Sequence, residues 1–246
     1  MSTKIILALD HLDEVKAYKD TKLLVDYVDG FKINHTLFSL VQTYSKFVIH
    51  QDKELFVDFK LWDTPNTVKN VIECILKSNA TMTTVSTYNN PEVFKAISEY
   101  GNDIKLLGVS FLTSWTDQEI KNINAYQEVN DLSESLLTKV DLWRRHINRI
   151  SEYNFSGVVC PVEDIRYINQ IDDSLIKVCP GIRLEKYLSF SHTNSTGDYT
   201  GQIKVSNMAE AEKQGADYVV VGRSVTNAKD PIKAIKDIGG MRYINK

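Results

Sequence analysis

Leu55-Phe56-Val57-Asp58-Phe59-Lys60-Leu61-Trp62-Asp63-Thr64-Pro65-Asn66-Thr67 runs from an apolar stretch into two carboxylates and an ammonium, and then into a helix start. In an extended strand side chains two apart share a face, so Asp58 and Lys60 point the same way. Pro65 cannot continue a central strand but suits the first turn of a helix. The charges therefore stand at the carboxyl end of a strand that a helix follows, which is where enclosed parallel sheets carry their chemistry. The pattern points to an enzyme.

Short β-rich runs alternate with helix-length segments on both sides of this stretch. The expected strands are Lys4 to Leu9, Gly30 to Ile33, Leu55 to Phe59, Thr81 to Ser86, Lys105 to Phe111, Gly157 to Cys160, Ile176 to Cys179 and Tyr218 to Val221. Between them, Leu37 to His50 and Thr67 to Lys77 place apolar residues at helical spacing, and Ser133 to Ile150 does so again. Eight strands, each followed by a helix-length segment, favour a closed parallel (β/α)8 TIM barrel over an open sheet. Residues 1–246 read as one α/β domain, since about 250 residues suffice for such a barrel and no linker or repeat divides them. The polar stretch from Arg183 to Gln202, after the seventh strand, reads as a lid.

Composition excludes several classes. A net charge of −3 gives no global field for nucleic acid or an anionic membrane, so an anionic substrate has to be held by a few placed cations. No apolar run approaches the ~20 residues of a membrane span. Met1 to Asp10 reads as a first strand and not as a secretory signal. Cys74, Cys160 and Cys179 lack CxxC spacing and lie in apolar contexts, so all three are expected to be buried, reduced thiols, as in the cytoplasm. The five His residues form no metal-binding spacing, and no metal or cofactor is expected.

Asp10, Lys32, Asp58 and Lys60 interrupt the most apolar stretches near strand ends, with Asp63 following in the turn. Lys32, between Phe31 and Ile33, needs a partner to offset desolvation. Either these are structural ion pairs, or they form an alternating Lys/Asp network in a pocket. Gly222-Arg223 ends the last strand at a helix start, where backbone N–H groups and a guanidinium suit a phosphate. Arg183 opens the lid and Gln202 near its end could donate to the same anion. Thr113 and Ser114 either hydrogen-bond a substrate ring or cap the next helix. Trp62 is expected to pack against the site wall.

With these residues assembled, the chain resembles the orotidine 5'-phosphate decarboxylase family. The resemblance runs from Leu7-Ala-Leu-Asp10 to Val221-Gly-Arg-Ser224 and rests on Phe31-Lys32, Asp58-x-Lys60-x-x-Asp63-x-Pro-Asn-Thr67, Leu112-Thr113-Ser114, Pro180-Gly-Ile-Arg183 and Gly222-Arg223. It implies decarboxylation of orotidine 5'-phosphate to uridine 5'-phosphate in pyrimidine synthesis, with Lys60 protonating the ring carbon and Asp58 beside the departing carboxylate. Asp10, assisted by Lys32, would bind the ribose and Thr113 the pyrimidine. Arg183, Gln202, Gly222 and Arg223 would hold the phosphate. Asp63 and Thr67 would reach the neighbouring subunit's site, which implies a homodimer. Magnesium-using relatives share Asp-x-Lys-x-x-Asp but carry an acidic residue where Lys32 stands. The chain departs from the family pattern just after Lys32, where a glycine often follows and this chain reads Ile33-Asn34-His35, at Trp62 and Thr64, at Cys160-Pro161, where a serine is common, and in the lid.

Overall fold

Eight parallel strands close on one another in sequence order, and the last pairs back to the first. They are β1 (Lys4–Ala8), β2 (Gly30–Ile33), β3 (Glu54–Leu61), β4 (Met82–Ser86), β5 (Lys105–Val109), β6 (Gly157–Val159), β7 (Ile176–Pro180) and β8 (Tyr218–Val221). This computed structural model describes residues 2–10, 13–35, 37, 46, 51–125, 138–183 and 204–240. The expected helix from Leu37 to His50, the lid beyond Arg183 and residues 133–137 of the expected Ser133 helix lie outside the described residues, Leu37 and Lys46 excepted.

Alternation along the strands divides the apolar residues into two cores. Ile6, Ala8, Phe56, Met82, Leu107, Val178, Tyr218 and Val220 fill the barrel interior. Their neighbours, among them Ile5, Leu7, Val57, Leu106 and Val219, face outward against the helices. The connecting helices among the described residues are α1 (Glu14–Leu24), α2 (Pro65–Leu76), α3 (Pro91–Ile97), α4 (Asp117–Ala125), α5 (Lys139–Ile150), α6 (Ile165–Asn169), α7 (Met208–Gln214), α8 (Arg223–Thr226) and α9 (Pro231–Gly239).

Their ends follow from local chemistry. Asp13 accepts from the Val15 and Lys16 amides to start α1. Pro65 opens α2, where it costs no hydrogen bond. Thr138 and Asp141 form a reciprocal capping box on α5. Gly215, at φ +90°, ends α7 in the left-handed region that a side chain would resist. Val68, Ile72 and Ile75 bury one face of α2, each worth about 1.5–3 kcal/mol.

One reading of the cysteines is corrected here. Cys160, just past the end of β6, and Cys179 on β7 are buried with Sγ atoms 3.8 Å apart, but Cys74 is exposed. Its apolar neighbours in sequence, Ile72 and Ile75, lie on the inner face of α2. At 100° per residue, Cys74 stands about 200° from Ile72 and looks outward. No helix among the described residues is long and apolar enough to cross a membrane.

Candidate active site

The carboxyl ends of the strands open on a cavity of about 1040 Å³, lined by Asp10, Lys32, Asp58, Lys60, Thr113, Arg183, Gly222 and Arg223 among others. Four of these charged residues form one unbroken chain. Lys32 Nζ lies 2.8 Å from Asp10 Oδ1 and 3.3 Å from Asp58 Oδ2. Asp58 Oδ1 in turn lies 2.9 Å from Lys60 Nζ. Asn34, two residues beyond Lys32, donates from Nδ2 to the same Asp10 oxygen at 3.0 Å.

Lys32 and Asp58 hold each other ionised. Burial opposes the charge on Lys32, yet the carboxylates of Asp58 and Asp10 outweigh it and raise its pKa. Burial likewise favours neutral Asp58, but the charges of Lys32 and Lys60, with hydrogen bonds from Lys60 and Thr84, pull its carboxyl down to about 2. The network is buried in its middle, at Lys32 and Asp58, and open to the cavity at both ends, where the side chains of Asp10 and Lys60 are 46% and 41% exposed.

A departure from regular strand geometry makes this placement. Val57 pairs with Thr83 and Leu61 with Val85, so Asp58, Phe59 and Lys60 face Thr84 alone. Lys60 absorbs the extra length at φ +49°, an uncommon conformation for a residue with a side chain. Bulges of this kind re-aim side chains beside active sites.

Across the cavity, Arg183 and Arg223 converge. Burial depresses the Arg183 pKa, and the nearby charge of Arg223 adds to the effect. Gly181, at φ +85°, turns the chain from β7 into this corner, and its carbonyl accepts from the Ser206 amide at 3.2 Å. Among the cavity's described Asp, Glu, Lys and Arg residues, four are basic and two acidic, which suits a polyanion. No group of three or more His, Cys, Asp or Glu among the described residues is placed to hold a metal ion.

The two open roles for Thr113 and Ser114 are now separable. Helix α4 is capped by Thr116, whose Oγ1 accepts from the Glu119 amide while Glu119 accepts from the Thr116 amide. Thr113 and Ser114 line the cavity instead. Trp62 corrects another expectation: it is 73% exposed and lines no part of the cavity. Strand β3 ends at Leu61, so the alternation that would turn position 62 inward has already stopped.

Asp63 and Thr67 are exposed and stand outside this cavity. Asp63 accepts from the Thr64 amide at 2.6 Å and makes no ion pair with a described residue. Gln202 lies outside the described residues. Two participants went unnoticed in the sequence, Asn34 and Thr84. Asn34 could have been found from its period-2 spacing to Lys32, whereas nothing marked Thr84.

Comparison with known proteins bears on this geometry. The profile of the orotidine 5'-phosphate decarboxylase / HUMPS family matches residues 3–238. The chain is similar to orotidine 5'-phosphate decarboxylase of Ehrlichia canis, at 32% identity over 95% of both chains. It is also similar to that of Dictyoglomus thermophilum, at 29% identity over 95% of this chain and 93% of the other. A crystal structure of orotidine 5'-phosphate decarboxylase from Pyrococcus horikoshii superimposes with a TM-score of 0.70, covering 96% of this chain and all of that one at 24% identity, which supports the barrel fold.

Proposed function

The chain belongs to the orotidine 5'-phosphate decarboxylase / HUMPS family, and we infer that it decarboxylates orotidine 5'-phosphate to uridine 5'-phosphate by side-chain electrostatics alone. The observation that carries this reading is the chain Asp10–Lys32–Asp58–Lys60 at the cavity mouth. Breaking the bond between the ring and its carboxylate leaves an electron pair on the ring carbon. Lys60, held at 2.9 Å by Asp58, stabilises that charge as it forms and transfers its proton to the same carbon. Carbon dioxide departs, and Lys60 regains a proton from water. Because the network is assembled before the substrate arrives, little reorganisation is needed when charge develops.

Asp10 binds the ribose hydroxyls in this reading, with one of its oxygens fixed by Lys32 and Asn34. Thr113 meets the pyrimidine. Arg183 and Arg223, with Gly222 and Gln202, take the phosphate. That grip is remote from the breaking bond, so its binding energy can hold the ring against Asp58 and Lys60.

The reading includes a cytoplasmic homodimer in which Asp63 and Thr67 complete the neighbouring site. Asp63 stands outside its own cavity beside a Trp62 that is 73% exposed, as residues covered by a second copy would be. The test is direct. The wild-type protein should convert orotidine 5'-phosphate, and Lys60→Ala should lose at least about 1,000-fold in turnover while still binding uridine 5'-phosphate. Near-normal product formation by Lys60→Ala would exclude it as proton donor.

A further inference from the structure

We propose that Thr84 is a positioning residue for the reaction: its hydroxyl sets where the Asp58 carboxylate and the Lys60 ammonium stand, without itself touching substrate. The proposal rests on the assignment of Asp58 and Lys60 as the reacting pair.

Thr84 follows Met82 on the inward face of β4 and is fully buried. It is absent from the cavity wall, so it lies beneath the site. Where β3 slips against β4, Thr84 is the one β4 residue facing Asp58, Phe59 and Lys60. Its Oγ1 accepts from the Lys60 backbone amide at 2.9 Å and donates to Asp58 Oδ1 at 2.9 Å. That same oxygen of Asp58 accepts from Lys60 Nζ at 2.9 Å. The hydroxyl therefore closes a ring: Lys60 amide, Thr84, Asp58 and Lys60 ammonium.

Each bond in the ring has a distinct duty. The one to the Lys60 amide ties down a backbone at φ +49°, a conformation that costs about 1 kcal/mol or more and persists only when its surroundings impose it. The one to Asp58 fixes the rotation of the carboxylate, and so which oxygen meets Lys60 and which meets Lys32. One short side chain has to accept on one side and donate on the other. Serine and threonine hydroxyls can do this, while an isosteric valine can do neither. Simple packing would be satisfied by valine. Loosening the ring should leave nucleotide binding in place and misplace the proton donor, since a displacement of about 1 Å can cost ~100-fold in rate.

Steady-state turnover of orotidine 5'-phosphate, with uridine 5'-phosphate affinity by calorimetry, tests this in wild type, Thr84→Val, Thr84→Ser and Thr84→Ala, with Lys60→Ala as reference. Thr84→Val should lose about thirtyfold or more in kcat, with KM and product affinity within about threefold, and Thr84→Ser should stay within about threefold of wild type. A Thr84→Val kcat within about threefold of wild type overturns the proposal. So does a loss of kcat that tracks a loss of product affinity and is not restored by serine, since that is loss of fold support. If Thr84→Val does not fold, the Ser and Ala variants, which differ by the hydroxyl alone, decide. Serine turning over at least about tenfold faster supports the proposal, and equal rates overturn it. Wild-type turnover retained in Lys60→Ala removes the pair assignment and this proposal together. Failure of Thr84→Val alone to slow the enzyme leaves the pair assignment standing.

Discussion

Glu54 and Asp58 stand four residues apart on β3, and each is a carboxylate gripped by two lysines and by hydroxyls, those of Tyr218 and Thr81 for Glu54 and that of Thr84 for Asp58. Glu54 meets Lys4 at 2.6 Å, Lys105 at 3.3 Å and the Tyr218 hydroxyl at 2.8 Å at the floor of the barrel. Asp58 meets Lys60 at 2.9 Å, Lys32 at 3.3 Å and Thr84 at 2.9 Å at its mouth. Their exposures are nearly equal, at 14% and 13% of the side chain, so burial does not distinguish them. Both carboxyls are held below the usual range, in each case against burial. What differs is the backbone and the space above. Glu54 pairs in register with Gly30, and its lysines reach across to it from β1 and β5. Asp58 sits on a slipped stretch, with a lysine at φ +49° and a large cavity in front of it. A similar charge arrangement closes one end of the barrel and faces an open cavity at the other.

The sharpest way to break this comparison is to neutralise each carboxylate in turn. Asp58→Asn should lose about 100-fold or more in kcat, because the amide no longer holds Lys60 in place. Glu54→Gln should keep kcat within about twofold and instead lose about 1–3 kcal/mol of stability by denaturant unfolding, since it leaves two lysines short of a partner. Equal effects on rate would erase the distinction. Arg223→Ala at the mouth should lower kcat/KM at least about tenfold, since a charged contact is worth about 1.5 kcal/mol or more, whereas Lys105→Ala at the floor should change it less than about twofold. Survival of Arg223→Ala within about threefold would displace the phosphate from that corner.

The floor is complete within one chain, and the mouth is proposed to be completed by a second. Mixing Lys60→Ala with Asp63→Ala, each inactive alone, should restore about a quarter of wild-type activity, since half the dimers are mixed and each of those holds one intact site of two. Mixed dimers that stay dead would contradict the sharing of sites.

The smallest effect is in the pH dependence of stability. Asp58 is held at about 2, below its unfolded value near 3.9, so its contribution is present above that value and lost as the pH falls through about 2. His146 is drawn down to about 3 by burial and then by Arg149 and Arg145, so its contribution is lost from about pH 6.5 downward in any variant. Wild type and Asp58→Asn should therefore weaken in parallel from pH ~6.5 to ~4 and diverge below, with wild type losing about 2 kcal/mol more by pH ~2. Parallel curves throughout would show that Asp58 is not held ionised by folding.

Much of this was legible because it repeats. Short β-rich runs separated by helix-length segments marked all eight strands, and Lys32 between Phe31 and Ile33 announced a paired buried cation. The two misreadings have separate local causes. Cys74 lies between Ile72 and Ile75 in sequence but on the outer side of the helix, and Trp62 stands one residue past the end of β3, where strand alternation no longer sets its direction. Thr84 left no trace because it is one of four threonines between Thr81 and Thr87, a composition any strand favours. Its role exists only because β3 slips against β4, and that slip depends on tertiary pairing that no local pattern records.

The most direct measurement is loss of the orotidine 5'-phosphate absorbance after adding protein exhaustively treated with chelator, for wild type and Lys60→Ala side by side. Wild type should convert the substrate fully without added metal, and Lys60→Ala should leave the signal unchanged over the same time. A wild-type protein that is inert until magnesium is supplied, or a Lys60→Ala variant that turns over alongside it, would contradict catalysis by the Asp58–Lys60 pair.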